Sequence, residues 1–90
     1  MPEYNQQTVY ITGAASGFGR LAAGVFAGAG ALLALADLDL EALNATVSDA
    51  GIATQRVLAM RCDVAVNSEV QQLVAATVTR FGRLDVAINN

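Results

Sequence analysis

Histidine, tryptophan and lysine are absent from this chain, and its five basic residues are all arginines: Arg20, Arg56, Arg61, Arg80 and Arg83. A histidine base, a lysine Schiff base and a P-loop lysine are therefore excluded from anything these 90 residues do. Cys62 is the single cysteine, so there is neither a disulfide framework nor a ligand set for zinc, and a reducing, cytoplasmic setting is expected. Charged residues make up only 14%, with a net charge of -3 and no basic cluster. That balance argues against nucleic acid, whose binding rests on phosphate neutralisation. The longest uncharged stretch, residues 21–36, is interrupted by Gly24, Gly28 and Gly30 and is too short for the roughly 20 apolar residues that span a bilayer, so no membrane partner is expected. The opening MPEYNQQ lacks the basic region of a signal or transit peptide.

What is present is apolar: 54% of the residues, with one proline. Such a composition forms a core, in one globular unit that buries about 60 to 65% of the surface its unfolded chain exposes. Four short apolar runs read as strands: residues 8–12, 31–36, 56–62 and 84–88. Between them, helical spacing links Phe18, Leu21, Ala22, Val25, Phe26 and Ala29, then Leu40, Leu43, Val47 and Ala50, then Val70, Leu73, Val74, Val78 and Phe81. Asp39, with Glu41 behind it, is positioned to cap the second helix, and Ser68 with Gln71 has the spacing of a capping box for the third. Gly30, Gly51 and Gly82 stand where left-handed helix ends are expected. The order βαβαβαβ predicts an α/β fold: a doubly wound parallel sheet in the order 3-2-1-4, one half of a Rossmann-type dinucleotide-binding domain plus the strand across the switch point.

The first strand runs into Thr12-Gly13-Ala14-Ala15-Ser16-Gly17-Phe18-Gly19 and then into the first helix. A helix N-terminus offers unpaired N–H groups and partial positive charge, and glycines let a pyrophosphate approach; the plainer reading is that they only allow close helix-on-sheet packing. Asp37 ends the second strand 20 residues beyond Gly17, near the ~20-residue spacing at which a carboxylate accepts from the adenosine ribose hydroxyls. That carboxylate repels a 2'-phosphate and has no Arg or Lys beside it, so the expected cofactor is NAD and not NADP. The plainer reading of Asp37 is a turn or capping residue.

The TGAASGFG turn, Asp37 after the second strand, Cys62-Asp63-Val64 after the third and Asn89-Asn90 after the fourth together resemble the short-chain dehydrogenase/reductase family across nearly the whole chain. Thr12, Gly13, Gly17 and Gly19 match its Thr-Gly-x-x-x-Gly-x-Gly motif, with Phe18 where Ile or Leu is more usual. The resemblance implies phosphate contacts from the Ser16 hydroxyl and the Phe18 N–H, and an adenine flanked by Asp63 and Val64. Taken alone, Asp63 reads as a strand-end turn acid. In all, Gly13, Ser16, Gly17, Phe18, Gly19, Asp37, Leu38, Asp63, Val64 and Asn89 are implied as NAD(H) contacts, with no metal site.

The family's catalytic Ser and Tyr-x-x-x-Lys are not in this stretch. Tyr4 and Tyr10 have no Lys four residues on; Tyr10 reads as a strand residue, Asp85 as a strand-edge acid and Cys62 as a small buried apolar residue. The 90 residues are thus expected to be a partial NAD-binding domain that ends inside an Asn-Asn-Ala-Gly-like motif. By itself such a piece is expected to be inactive and, with residues 84–88 left as an unpaired edge, prone to self-association. In the full-length protein the resemblance implies hydride transfer between nicotinamide and a small alcohol or carbonyl substrate, and a homo-oligomer. A non-catalytic nucleotide-binding module, and a structural fragment completed by a partner chain, stay open as alternatives.

Overall fold

Alternation of strand-forming and helix-forming stretches carries straight into the tertiary structure. The computed structural model describes residues 4–90; the first three residues of the MPEYNQQ segment lie outside the described residues. β1 (Thr8–Thr12), α1 (Gly17–Gly28), β2 (Leu32–Asp37), α2 (Leu40–Asp49), β3 (Val57–Arg61), α3 (Asn67–Phe81) and β4 (Val86–Ile88) follow in order, with one 3₁₀ turn, Thr54–Arg56, before β3. All pairings are parallel, in the order β3-β2-β1-β4, as the sequence predicts for a Rossmann-type sheet.

Strand residues alternate between two cores, as the two-residue period of a strand requires. Val9, Ile11, Leu33 and Leu35 pack with Ala22 and Ala23 of α1 and Leu43 of α2. Tyr10, Ala34 and Ala36 face the other way, with Cys62 and with Leu73 of α3. Tyr10 is thus the strand residue it reads as, and burial pushes its phenol pKa up.

The helix ends divide the expectations. Asp39 caps α2 by accepting from the Ala42 N–H at 3.0 Å. Gly30, Gly51 and Gly82 all have positive φ, as left-handed helix ends require. Ser68, however, does not cap α3: the cap position falls two residues earlier, at Val66, with no side-chain cap. Glu69 takes over the reaching-back role, accepting from the Asp63 N–H at 3.0 Å.

Helical spacing is right for α1 but its buried face is not the one the large side chains mark. Gly19, Ala22 and Ala23 face the sheet, whereas Phe18, Leu21 and Val25 are each more than 60% exposed. Small residues let the helix axis come close to the strands, so the small face wins the contact. β4 is also shorter than its apolar run. Asp85 Oδ2 accepts from the Thr8 N–H at 2.8 Å while the Asp85 N–H donates to the Thr8 carbonyl at 3.0 Å, so a side chain supplies one of the two bonds where the β1–β4 ladder begins. Among the described residues no helix is long and apolar enough to cross a membrane.

Candidate functional site

The turns that follow β1, β2, β3 and β4 meet at the carboxyl edge of the parallel sheet, where open α/β sheets bind ligands. There Gly13, Asp37, Leu38, Cys62, Asp63, Val64 and Asn90 line a cleft of about 140 Å³. A larger hollow of about 510 Å³ lies between α1 and α2, walled by Leu21, Gly24, Val25 and the Arg20–Asp49 ion pair. Its walls are mainly apolar and include Gly17 and Thr46, whereas Asp37, Leu38, Asp63, Val64 and Asn90 meet only at the smaller cleft.

The three glycines of the first turn do different work. A Cβ at Gly19 would stand 2.1 Å from the Gly13 carbonyl oxygen, so this glycine serves internal packing of helix on turn, the plainer of the two sequence readings. Gly13, with φ +64°, would place a Cβ 2.9 Å from Asn90 Nδ2. Gly17, with φ +57°, has no atom within 4 Å of its would-be Cβ and opens onto free space at the start of α1. Beside it Ser16 is the N-cap residue but makes no side-chain cap, and no acid occupies the first helical turn. Exposed N–H donors, an uncommitted hydroxyl and open space suit an anion such as a phosphate.

Asp37 is anchored rather than free. Its Oδ2 accepts from the Ala15 N–H at 3.0 Å and its Oδ1 from the Asp39 N–H at 3.1 Å, so the turn role is real and coexists with a position in the cleft. Two lone-pair sites remain beyond these bonds, enough for hydroxyl donors. No basic residue neighbours Asp37 along the chain, but the sheet register sets Arg61 of β3 directly opposite it. The Arg61 guanidinium leans to Glu69, at 3.6 Å.

Leu38 and Val64, both 56% exposed, give the cleft apolar walls. Asp63 Oδ1 accepts from the Ala65 N–H at 3.0 Å, the strand-end turn that its plain reading describes. Cys62 is buried, and burial, followed by the nearby Glu69 and Asp63 charges, pushes its thiol pKa up. Phe18 projects its ring outward, so only its backbone belongs to the site. Among the described residues no group of three or more His, Cys, Asp or Glu could hold a metal.

Asn89 is exposed and outside the cleft lining, whereas Asn90 lies in it. The Asn90 N–H donates to Thr12 Oγ1 at 3.1 Å and its Nδ2 to the Gly13 carbonyl at 3.2 Å, bracing the glycine turn against β4. Strand parity was the available signal. Ile88 packs on the α1/α2 core, and two residues on the same side of the chain returns. A second missed residue, Thr46, sits in mid-α2 and reaches the Ala14 carbonyl with its hydroxyl at 3.0 Å; nothing local in the sequence signals that contact.

Comparison with known proteins agrees with this geometry. The sequence pattern described as short chain dehydrogenase matches residues 7–90. The 2,5-dichloro-2,5-cyclohexadiene-1,4-diol dehydrogenase of Sphingobium indicum is 38% identical over 90 residues, 100% of this chain and 35% of that protein. A short-chain dehydrogenase/reductase from Burkholderia phymatum, solved in complex with NAD, superimposes with a TM-score of 0.87 at 39% identity, covering 97% of this chain and 31% of that one. A glucose/ribitol dehydrogenase-type member from Brucella melitensis gives a TM-score of 0.90 at 34% identity, over 94% of this chain and 35% of that one. The chain spans about a third of the length of the relatives it matches.

Proposed function

The chain belongs to the short-chain dehydrogenase family, and from that premise we propose that it is the NAD(H)-binding portion of an oxidoreductase acting on a small alcohol or carbonyl compound. The observation that carries the reading is the open, acid-free start of α1 lying at the same sheet edge as the Asp37 carboxylate. On this reading Ser16, Gly17 and the Phe18 N–H hold the pyrophosphate. Asp37 accepts from the adenosine ribose hydroxyls, and Leu38, Asp63 and Val64 border the adenine, with Gly13 and Gly19 shaping the turn. The relative from Burkholderia phymatum bound to NAD supports the choice of dinucleotide. When bound, the nicotinamide supplies the hydride chemistry. This chain's residues bind and orient; the proton-transferring residues are placed in the rest of a longer protein, so these 90 residues alone are inactive.

Asp37 favours NAD over NADP, because a carboxylate with two anchored oxygens stands where a 2'-phosphate would come. Exposed Phe18, Leu21 and Val25 leave apolar surface for the remainder of such a protein, or for another copy in a homo-oligomer, to cover. A lone buried thiol fits a cytoplasmic setting. Calorimetric titration of the full-length protein tests the reading: NAD should bind at least about tenfold tighter than NADP. Equal or tighter NADP binding removes the role given to Asp37, and absence of both removes the nucleotide site.

A further inference from the structure

The peptide joining Ala14 to Ala15, in the middle of the glycine turn, is gripped from both sides. Its carbonyl oxygen accepts from Thr46 Oγ1 at 3.0 Å, and its N–H donates to Asp37 Oδ2 at 3.0 Å. One partner comes from α2 and the other from the end of β2, so the grip is tertiary. Just before it, the Ala14 N–H donates to the Ala36 carbonyl at 3.1 Å.

Thr46 is 1% exposed and lies inside a helix, where a threonine hydroxyl ordinarily bonds back to the carbonyl four residues earlier. That carbonyl, of Ala42, is 3.4 Å away, farther than the Ala14 oxygen. A hydroxyl has a single proton to give. The shorter contact takes it, and it serves the turn. Because a peptide is a rigid plane, fixing both its oxygen and its N–H fixes the orientation of that plane, and so anchors the point from which the chain leads, through the Ala15 and Ser16 dihedrals, to the N–H groups at Ser16, Gly17 and Phe18.

We propose that Thr46 is a positioning residue for phosphate binding: together with Asp37 it locks the Ala14–Ala15 peptide so that the donors at the start of α1 face the ligand's pyrophosphate. The proposal rests on the nucleotide reading above. It also couples two functions in Asp37, which meets the ribose and holds the phosphate turn, so a substitution at Asp37 disturbs phosphate affinity along with discrimination at the 2' position.

The test uses Thr46→Val, which keeps the volume and removes the donor, and Thr46→Ser, which restores it, in the full-length protein. NAD, ADP and adenosine are titrated by calorimetry, and hydrogen exchange of the Ala15 amide is followed without ligand. Thr46→Val should weaken NAD and ADP about tenfold, leave adenosine unchanged and speed exchange at Ala15, with recovery to within about threefold in Thr46→Ser. Unchanged ADP affinity and Ala15 exchange in Thr46→Val would overturn the proposal, as would an equal loss for ADP and adenosine. If Thr46→Val does not fold, Thr46→Ala carries the same comparison. A wild type that binds neither NAD nor ADP overturns the nucleotide reading, while Thr46-dependent protection of Ala15 would still uphold the grip.

Discussion

Helices α1 and α2 begin at the same edge of one sheet, yet their first turns are treated in opposite ways. At α2, Asp39 accepts from the Ala42 N–H and Glu41 adds a negative charge. At α1, Ser16 leaves the donors without a side-chain cap, no acid follows, and Gly17 keeps the approach open. A cap contributes about 1 kcal/mol, so α1 forgoes stability that α2 has. α3 also lacks a side-chain cap but carries Glu69 in its first turn, so what sets α1 apart is the absence of both cap and acid, which leaves its donors to an anion from outside the chain.

The comparison breaks most visibly at Gly19. Gly19→Ala drives a methyl into the Gly13 carbonyl and should cost about 3 kcal/mol in denaturant melts. Gly24→Ala, in the same helix with no atom within 4 Å of the added carbon, should instead stabilise by up to about 1 kcal/mol. Equal effects of the two changes would show that the packing of turn on helix is not what constrains α1.

Ser16→Asp makes α1 resemble α2. Helix capping should raise the melting temperature modestly while NAD affinity falls about tenfold or more, because the new charge occupies the anion's place. Stability and affinity rising together would reject the start of α1 as the phosphate site. The reciprocal change, Asp39→Ala, should lose about 1 kcal/mol of stability and leave nucleotide affinity as it was.

The smallest effect lies at the opposite edge of the sheet. The hydrogen bonds from Arg83, then the Thr8 N–H, hold the Asp85 carboxyl below its ordinary pKa. A carboxylate depressed in the folded state contributes stability above its unfolded pKa, and that contribution is lost as pH falls through the folded value. Asp85→Asn should therefore lower the melting temperature slightly near neutrality and flatten the acid limb, the difference from the wild type closing below about pH 4 as the wild-type carboxylate protonates. An unaltered acid limb would mean that the β1–β4 join does not depend on this charge.

Much of this architecture is legible in a single chain because its signals are local. Strand β2 is a nearly continuous apolar run, the sheet order follows from the βα alternation, and Asp39 caps the helix it precedes. Ser68 failed as a cap because the Asp63–Ala65 turn and Glu69 had already organised the approach to α3. Helical spacing alone does not tell which side of α1 is buried, because size and burial part company when a helix packs closely: Ala22 and Ala23 are inside, Leu21 and Val25 outside.

Residue periods, the positions of the glycines and the identity of Asp37 are properties of the chain itself, and they determined the fold class and the kind of ligand proposed. Only the tertiary structure decided which asparagine reaches the turn, that Arg61 stands across from Asp37, and that Thr46 and Asp37 hold one peptide between them. The reason is distance along the chain. Patterning rules act over a few residues, whereas hydrogen bonds spanning 22, 32 and 77 residues depend on how closely the finished elements pack.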